Sequence, residues 1–155
     1  MLCANQQMMA QTWRFLAQES PVLVDWLPWS HTFGGNHNFN LALTYGGTLY
    51  IDDGNPTPAG IARTVRNLRE IAPTIYFNVP KGFEALLPYL REDEALRKNF
   101  FSKLKVMFYA GAGLQQYVWD ELQQMSVATT GERVIFLSSI GSTCLLYTSP
   151  SPRDS

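Results

Sequence analysis

Cysteine is almost absent: Cys3 and Cys144 are the only two in 155 residues. They are too few for a disulfide framework and lack metal-ligand spacing. Charge of one sign is missing as well, with 12 Lys and Arg against 13 Asp and Glu, scattered rather than blocked. That excludes the basic footprint of a nucleic-acid or anionic-membrane binder. No apolar run approaches the roughly 20 residues of a membrane helix, and MLCANQQMMAQTW has no charged stretch leading into a greasy one. A soluble, cytoplasmic protein is expected. No GxxxxGK[ST] phosphate loop occurs. No GxSxG elbow follows any strand, so a hydrolase built on Asp25 and His31 would lack a nucleophile.

What is present is an alternation of strand-like and helix-like runs. Cys3 to Gln18 carries Met8, Met9, Trp13, Phe15 and Leu16 at a roughly helical period and predicts a helix ending before Ser20-Pro21. Val22 to Leu27 is an almost continuous apolar run, the pattern of a buried parallel strand, and stops at Pro28. Trp29 to Asn36 then reads as a loop and Asn38 to Tyr45 as a short helix closed by Gly46-Gly47. A strand follows at Thr48 to Ile51. Asp52-Asp53-Gly54-Asn55-Pro56 is turn chemistry, which accounts for the paired carboxylates without a metal.

Ile61, Val65, Leu68 and Ile71 step by three and four, predicting an amphipathic helix from Pro58 to Ile71 with Arg63, Arg66 and Arg69 on a solvated face. Further strands are expected at Thr74 to Val79, Lys105 to Tyr109 and Arg133 to Leu137, and further helices from Pro80, over Glu92 to Leu104, and over Gln116 to Met125. At least four repeats of strand and helix predict an α/β fold with a largely parallel sheet and right-handed crossovers.

Three loops rich in small or hydroxyl residues follow predicted strands: Trp29 to Asn36, Ala110 to Leu114 and Ser138 to Thr143. Parallel strands end along one edge, so the loops are expected to converge there on a ligand cleft. Gly111 and Gly113 remove Cβ atoms where a flat base could lie against backbone. Gly141, Ser142 and Thr143 offer hydroxyl and amide donors suited to a phosphate. Each loop is also explained by a tight turn; their joint occurrence carries the weight. Asn78 and Val79 read first as core packing.

The run Asp25-Trp26-Leu27-Pro28-Trp29-Ser30-His31-Thr32-Phe33-Gly34-Gly35-Asn36 resembles the His-containing substrate loop of the adenylate-forming acyl-CoA synthetases, most closely that of feruloyl-CoA synthetases. Tyr109-Ala110-Gly111-Ala112-Gly113-Leu114 is similar to the family's adenine loop, with Gly113 where proline is usual. Ile140-Gly141-Ser142-Thr143 resembles the start of its Tyr-Gly-x-Thr-Glu motif, with Ile140 for the base-stacking aromatic and Cys144 for the magnesium glutamate. The resemblance covers residues 1 to 143.

It implies a large-domain piece of a two-step ligase using ATP, Mg²⁺ and coenzyme A on a small-molecule carboxylic acid such as ferulate. It also implies substrate contacts at Trp29, His31, Phe33, Gly35, Tyr109 and Gly141, and nucleotide contacts at Gly111, Ala112, Gly113, Ser142 and Thr143. No residue is assigned as catalytic and none as a metal ligand. The family's upstream phosphate loop and C-terminal lid are not in this sequence. The expectation is therefore that Met1 is an internal methionine and that this polypeptide alone is inactive, with exposed sheet edges that favour association. Cys144 to Asp154, CLLYTSPSPRD, is the reading-frame translation of a common sequencing-transposon adapter, and 144–155 is read as a non-native tail. The competing reading is a non-catalytic α/β ligand- or partner-binding domain, complete as given.

Overall fold

The computed structural model describes residues 2–139 and Gly141. The tail read as adapter, together with Ser142 and Thr143, lies outside the described residues. Strands β1 (Val22–Asp25) and β2 (Thr48–Ile51) pair in parallel, and so do β3 (Ile75–Asn78), β4 (Val106–Tyr109) and β5 (Ile135–Ser138). β1 lies beside β3, tied at its start by Thr74 N–H donating to the Val22 carbonyl and Val22 N–H donating to Thr74 Oγ1, both at 2.9 Å. The ladders form two parallel sheets, β2-β1 and β3-β4-β5, which lie side by side through β1 and β3, so the strands follow one another as β2-β1-β3-β4-β5. The direction of winding reverses between β1 and β3, which is where doubly wound sheets hold ligands.

Alternation along the strands supplies two apolar faces. Leu23, Ile75, Phe77, Val106, Phe108 and Leu137 point one way, to the layer of α1 (Leu2–Thr12) and the segment after β1. Val24, Tyr76, Met107 and Phe136 point the other way, to α3 (Pro58–Glu70), α4 (Pro80–Glu92), α5 (Glu94–Ser102) and α6 (Gln116–Thr130). The expected α/β architecture, a parallel sheet flanked by helices, is thus the one found. Ile61, Val65 and Leu68 of α3 are buried as their spacing requires. The arginines of α3 are solvent-facing: Arg63 and Arg66 pair with Asp53, and Arg69 with Asp93 at 2.8 Å.

Several boundaries differ from those predicted, each for a local reason. The first helix stops at Thr12, and a 3₁₀ turn, Arg14–Ala17, follows; this tighter coil stacks Trp13 and Leu16 at i, i+3, both buried against the sheet. β1 ends at Asp25 rather than Leu27, because the Asp25 carboxylate accepts from Leu27 N–H at 3.0 Å and turns the chain. Glu92 closes α4 instead of opening the next helix. Asp93 breaks between them, its Oδ1 accepting from Leu96 N–H at 2.9 Å as the cap of α5. The last strand begins at Ile135, two residues after Arg133. α6 runs past Met125 to Thr130, where Gly131 takes φ +83° and ends it.

The largest departure follows β1. Trp29 to Asn36 is not wholly loop: Phe33–Phe39 forms a π-helical segment that continues into α2 (Asn40–Thr44). Gly34 and Gly35 sit in its first turn because nothing larger fits. A Cβ on Gly34 would lie 2.5 Å from the Pro28 carbonyl oxygen, and one on Gly35 would overlap the Trp29 carbonyl oxygen.

Candidate functional site

β3, β4 and β5 end in register, with Asn78 opposite Tyr109 and Tyr109 opposite Ser138, so the loops after β4 and β5 leave from one edge. β1 is fixed to β3 at its amino end, and its own loop reaches the same edge, where Phe33 meets Phe77 and Phe108. The first two small-residue loops, and the start of the third at Ser138 and Ser139, thus leave from one edge; Ile140, Ser142 and Thr143 lie outside the described residues.

Within the first loop, His31 is exposed. Its Nδ1 accepts from Phe33 N–H at 3.1 Å, and its carbonyl accepts from Gly35 N–H at 2.9 Å, so it caps the start of the π-helical segment. In the neutral ring that leaves the proton on Nε2, facing outward as a donor. Trp29 is 51% exposed and rests on Phe39, ring centroids 4.9 Å apart. Phe33 is buried and meets Phe77 at 6.1 Å and Phe108 at 5.8 Å, so it ties this loop to the ends of β3 and β4.

Tyr109 is not brought to the same wall. One residue on from Phe108, its ring takes the opposite face of the sheet, against Phe136 at 5.6 Å. Gly111 has φ +95°, and a Cβ at Gly111, Gly113 or Gly141 would meet nothing within 4 Å. The glycines after β4 and β5 thus line open space. Ala112 lies between the first two, exposed. Asn78 is fully buried, donating to Tyr76 Oη at 3.0 Å and accepting from Val79 N–H at 2.8 Å, which makes it a core and capping residue.

The buried electrostatics centre on Asp25, weighed in the sequence only as a hydrolase's acid, and on Asn38 and His37, which the sequence reading did not single out. Asp25, at the carboxyl end of β1, is buried, and its Oδ2 accepts from Asn38 Nδ2 at 2.7 Å. Desolvation pushes its pKa up to about 6, against the lowering effect of the Asn38 and Leu27 hydrogen bonds. Asn38, fully buried, in turn faces His37 Nδ1 through its Oδ1 at 2.9 Å. The half-buried His37 ring stacks on Phe108 at 5.2 Å and meets Phe77, Phe33 and Trp13 edge-on at 5.1, 5.8 and 6.4 Å. Burial among these rings holds its pKa below the ordinary histidine value. The available signal was spacing: His37 follows Phe33 by four, and so shares its face on a helix, but a helix was not expected there.

Asp52, just past β2, is a second buried carboxylate. It accepts from Thr64 Oγ1 at 2.5 Å and Asn67 Nδ2 at 2.8 Å, anchoring α3, while Gly54 N–H at 3.2 Å closes the turn. Among the described residues no group of three or more His, Cys, Asp or Glu side chains is placed to hold a metal. No helix among them is long and apolar enough to cross a membrane. A groove of about 710 Å³ runs along α4 between the starts of α3 and α6, lined by Ile61, Lys81, Glu84, Leu87, Arg91 and Tyr117, and contains none of the expected site residues.

No curated protein matches the chain. Among solved structures, the fold is shared with a malonyl-CoA ligase, in a ternary product complex with methylmalonyl-CoA and AMP bound, at TM-score 0.66 and 23% identity over 90% of this chain and 28% of that one. An anthranilate CoA ligase in complex with anthranoyl-AMP gives 0.64 and 21%, covering 89% and 25%. A long-chain-fatty-acid-CoA ligase from Archaeoglobus fulgidus gives 0.62 and 17%, covering 90% and 27%. The chain thus spans about a quarter of the length of these proteins. A model of the AMP-binding enzyme family matches residues 1–135, and on that match, over most of its length, the chain belongs to the AMP-binding enzyme family.

Proposed function

We propose that the protein to which these residues belong is an ATP-dependent carboxylate–CoA ligase, and that its acid is aromatic, with ferulate as a representative. The family match over residues 1–135 carries the reading. Support comes from the strands whose carboxyl ends share one edge, where the described parts of the three loops begin, and from neighbours named as CoA ligases, one of them in complex with anthranoyl-AMP. In the first step a carboxylate oxygen attacks the α-phosphorus of ATP and the bond to pyrophosphate breaks. In the second, the CoA sulfur attacks the acyl carbon and AMP leaves with the bonding electrons. Both steps build negative charge that preorganised donors stabilise, each worth about 3 kcal/mol in comparable sites.

In this reading Trp29, His31, Phe33 and Gly35 form the acid's wall, with Gly141 opposite. His31 offers its outward Nε2–H to the acid's carboxylate. Tyr109 contributes through its backbone, since its ring faces away. Gly111, Ala112 and Gly113 bear the adenine, and Ser142 and Thr143, outside the described residues, bear the phosphate. Mg²⁺ finds no site among the described residues, and Cys144 stands where the resemblance implies its glutamate. On this reading the 155-residue chain by itself is inactive and residues 144–155 are adapter-derived, as the resemblance and the tail's sequence suggest.

The test begins with the gene, read on both sides from long DNA molecules. The full-length protein should release pyrophosphate and form thioester only when a carboxylic acid, ATP and CoA are all present. Binding of these compounds with no pyrophosphate released would instead mark a non-catalytic domain.

A further inference from the structure

The two histidines of the chain, His31 and His37, both follow β1, and their hydrogen bonds fix them as opposite tautomers. The argument for His37 runs from Asp25 outward. An ionised carboxylate only accepts, so the Asn38 amide must turn its Nδ2 toward Asp25 Oδ2, 2.7 Å away. That leaves Asn38 Oδ1, an acceptor, facing His37 Nδ1 at 2.9 Å. Nδ1 must then carry the proton. Burial keeps the ring neutral, so Nε2 bears a lone pair.

Nε2 makes no hydrogen bond to any described residue, nor is it among the side-chain atoms sealed away from solvent without a partner. The result is a hydrogen-bond acceptor of fixed direction, framed by Phe33, Phe77 and Phe108, over the ends of β3 and β4. An acceptor in aromatic surroundings suits one kind of group: a hydroxyl proton carried on a flat apolar ring.

We propose that His37 is a specificity-determining residue, whose Nε2 accepts the hydrogen bond of a phenolic hydroxyl on the acid substrate, with Asn38 and Asp25 as positioning residues that set its tautomer. This deepens the ligase reading above and rests on it. A site built to bond a hydroxyl rejects the analogue lacking it, because its acceptor is left unpaired. The full-length protein carrying this sequence should favour 4-hydroxycinnamate over cinnamate by at least about tenfold in kcat/KM. His37→Phe should collapse that ratio toward one, the loss in kcat/KM falling more heavily on 4-hydroxycinnamate than on cinnamate. His37→Gln, whose amide oxygen can still accept, should retain part of the preference. Equal loss on both acids, or an unchanged ratio in His37→Phe, would overturn the assignment.

¹⁵N-histidine NMR of the same protein reads the ring directly. Protonated Nδ1, with an Nε2 resonance that moves on adding 4-hydroxycinnamate but not cinnamate, supports the proposal whatever the turnover. A proton on Nε2, or no movement with either acid, overturns it. Absence of turnover with any acid would overturn the ligase reading alone.

Discussion

Asp25 and His37 oppose one another in their response to pH. Asp25 titrates near pH 6 in the folded chain and near 3.8 unfolded. Between those values the folded state binds more protons, so stability falls as pH rises through the window and then levels off. For a two-unit shift the amount is on the order of 3 kcal/mol. His37, held below its ordinary value, acts the other way: the unfolded ring protonates first, and stability is lost as pH falls through about 6.5. Replacing His37 by Phe removes the second effect only. Denaturant titrations at pH 5 and pH 7.5 should show His37→Phe gaining stability relative to the parent at pH 5. An equal difference at both values would mean that His37 is not held neutral by its surroundings.

Asp52 is a residue whose value lies in what it satisfies. Thr64 Oγ1, Asn67 Nδ2 and Gly54 N–H all donate to it, and Thr64 is fully buried. Asp52→Ala leaves those donors without an acceptor, at a cost of roughly 2–4 kcal/mol for the set. Thr64→Val should cost less, about 1–2 kcal/mol, since it removes one donor together with its bond. Thermal melts of the two variants order them. If Thr64→Val were the more damaging, the carboxylate would not be the anchor of α3.

At the scale of elements, the strands were the most legible part of the sequence. Ile75, Tyr76 and Phe77 are apolar in succession because both faces of a parallel strand are covered, and the structure buries all three on alternate sides. α3 was equally legible, since Thr57-Pro58 starts it and its apolar stripe is unbroken. The π-helical segment was not. Gly34-Gly35 carries the same punctuation as a turn, and only the backbone of Pro28 and Trp29 pressing on it explains the glycines. That one misreading hid His37, whose proximity to Phe33 exists only if the segment coils.

Tyr109 illustrates the other limit. Its place at the end of β4 was readable, but its face depended on where the strand began. Gly35→Ala tests the close approach directly: the added methyl cannot fit beside the Trp29 carbonyl, so the segment must shift, at about 1–3 kcal/mol. Because Phe33 and His37 ride on the same segment, the shift should also alter their ring-current NMR signals against Phe108. Parental stability and unchanged ring shifts in the Gly35→Ala protein would show that the approach is looser than drawn.

For the whole molecule the consequence lies at the sheet's margins. The buried strands, β1, β3 and β4, are covered on both sides, whereas the outer two are not. Ile51 of β2 is 71% exposed, and Ile135 of β5 is 52% exposed. Each of these strands pairs on one side only among the described residues, leaving a row of unpaired amides and carbonyls beside apolar side chains. Such an edge is a template for another chain unless charge or proline blunts it, and β2 (TLYI) and β5 (IFLS) carry neither. The 155-residue chain should therefore self-associate at micromolar concentrations in size-exclusion chromatography with light scattering. Placing a charge on each margin, Ile51→Lys with Ile135→Lys, should shift it toward monomer without loss of helical circular dichroism, because neither side chain is part of the core. A parental chain that elutes as a monodisperse monomer and melts cooperatively would show that these margins are closed by residues outside the described sheet.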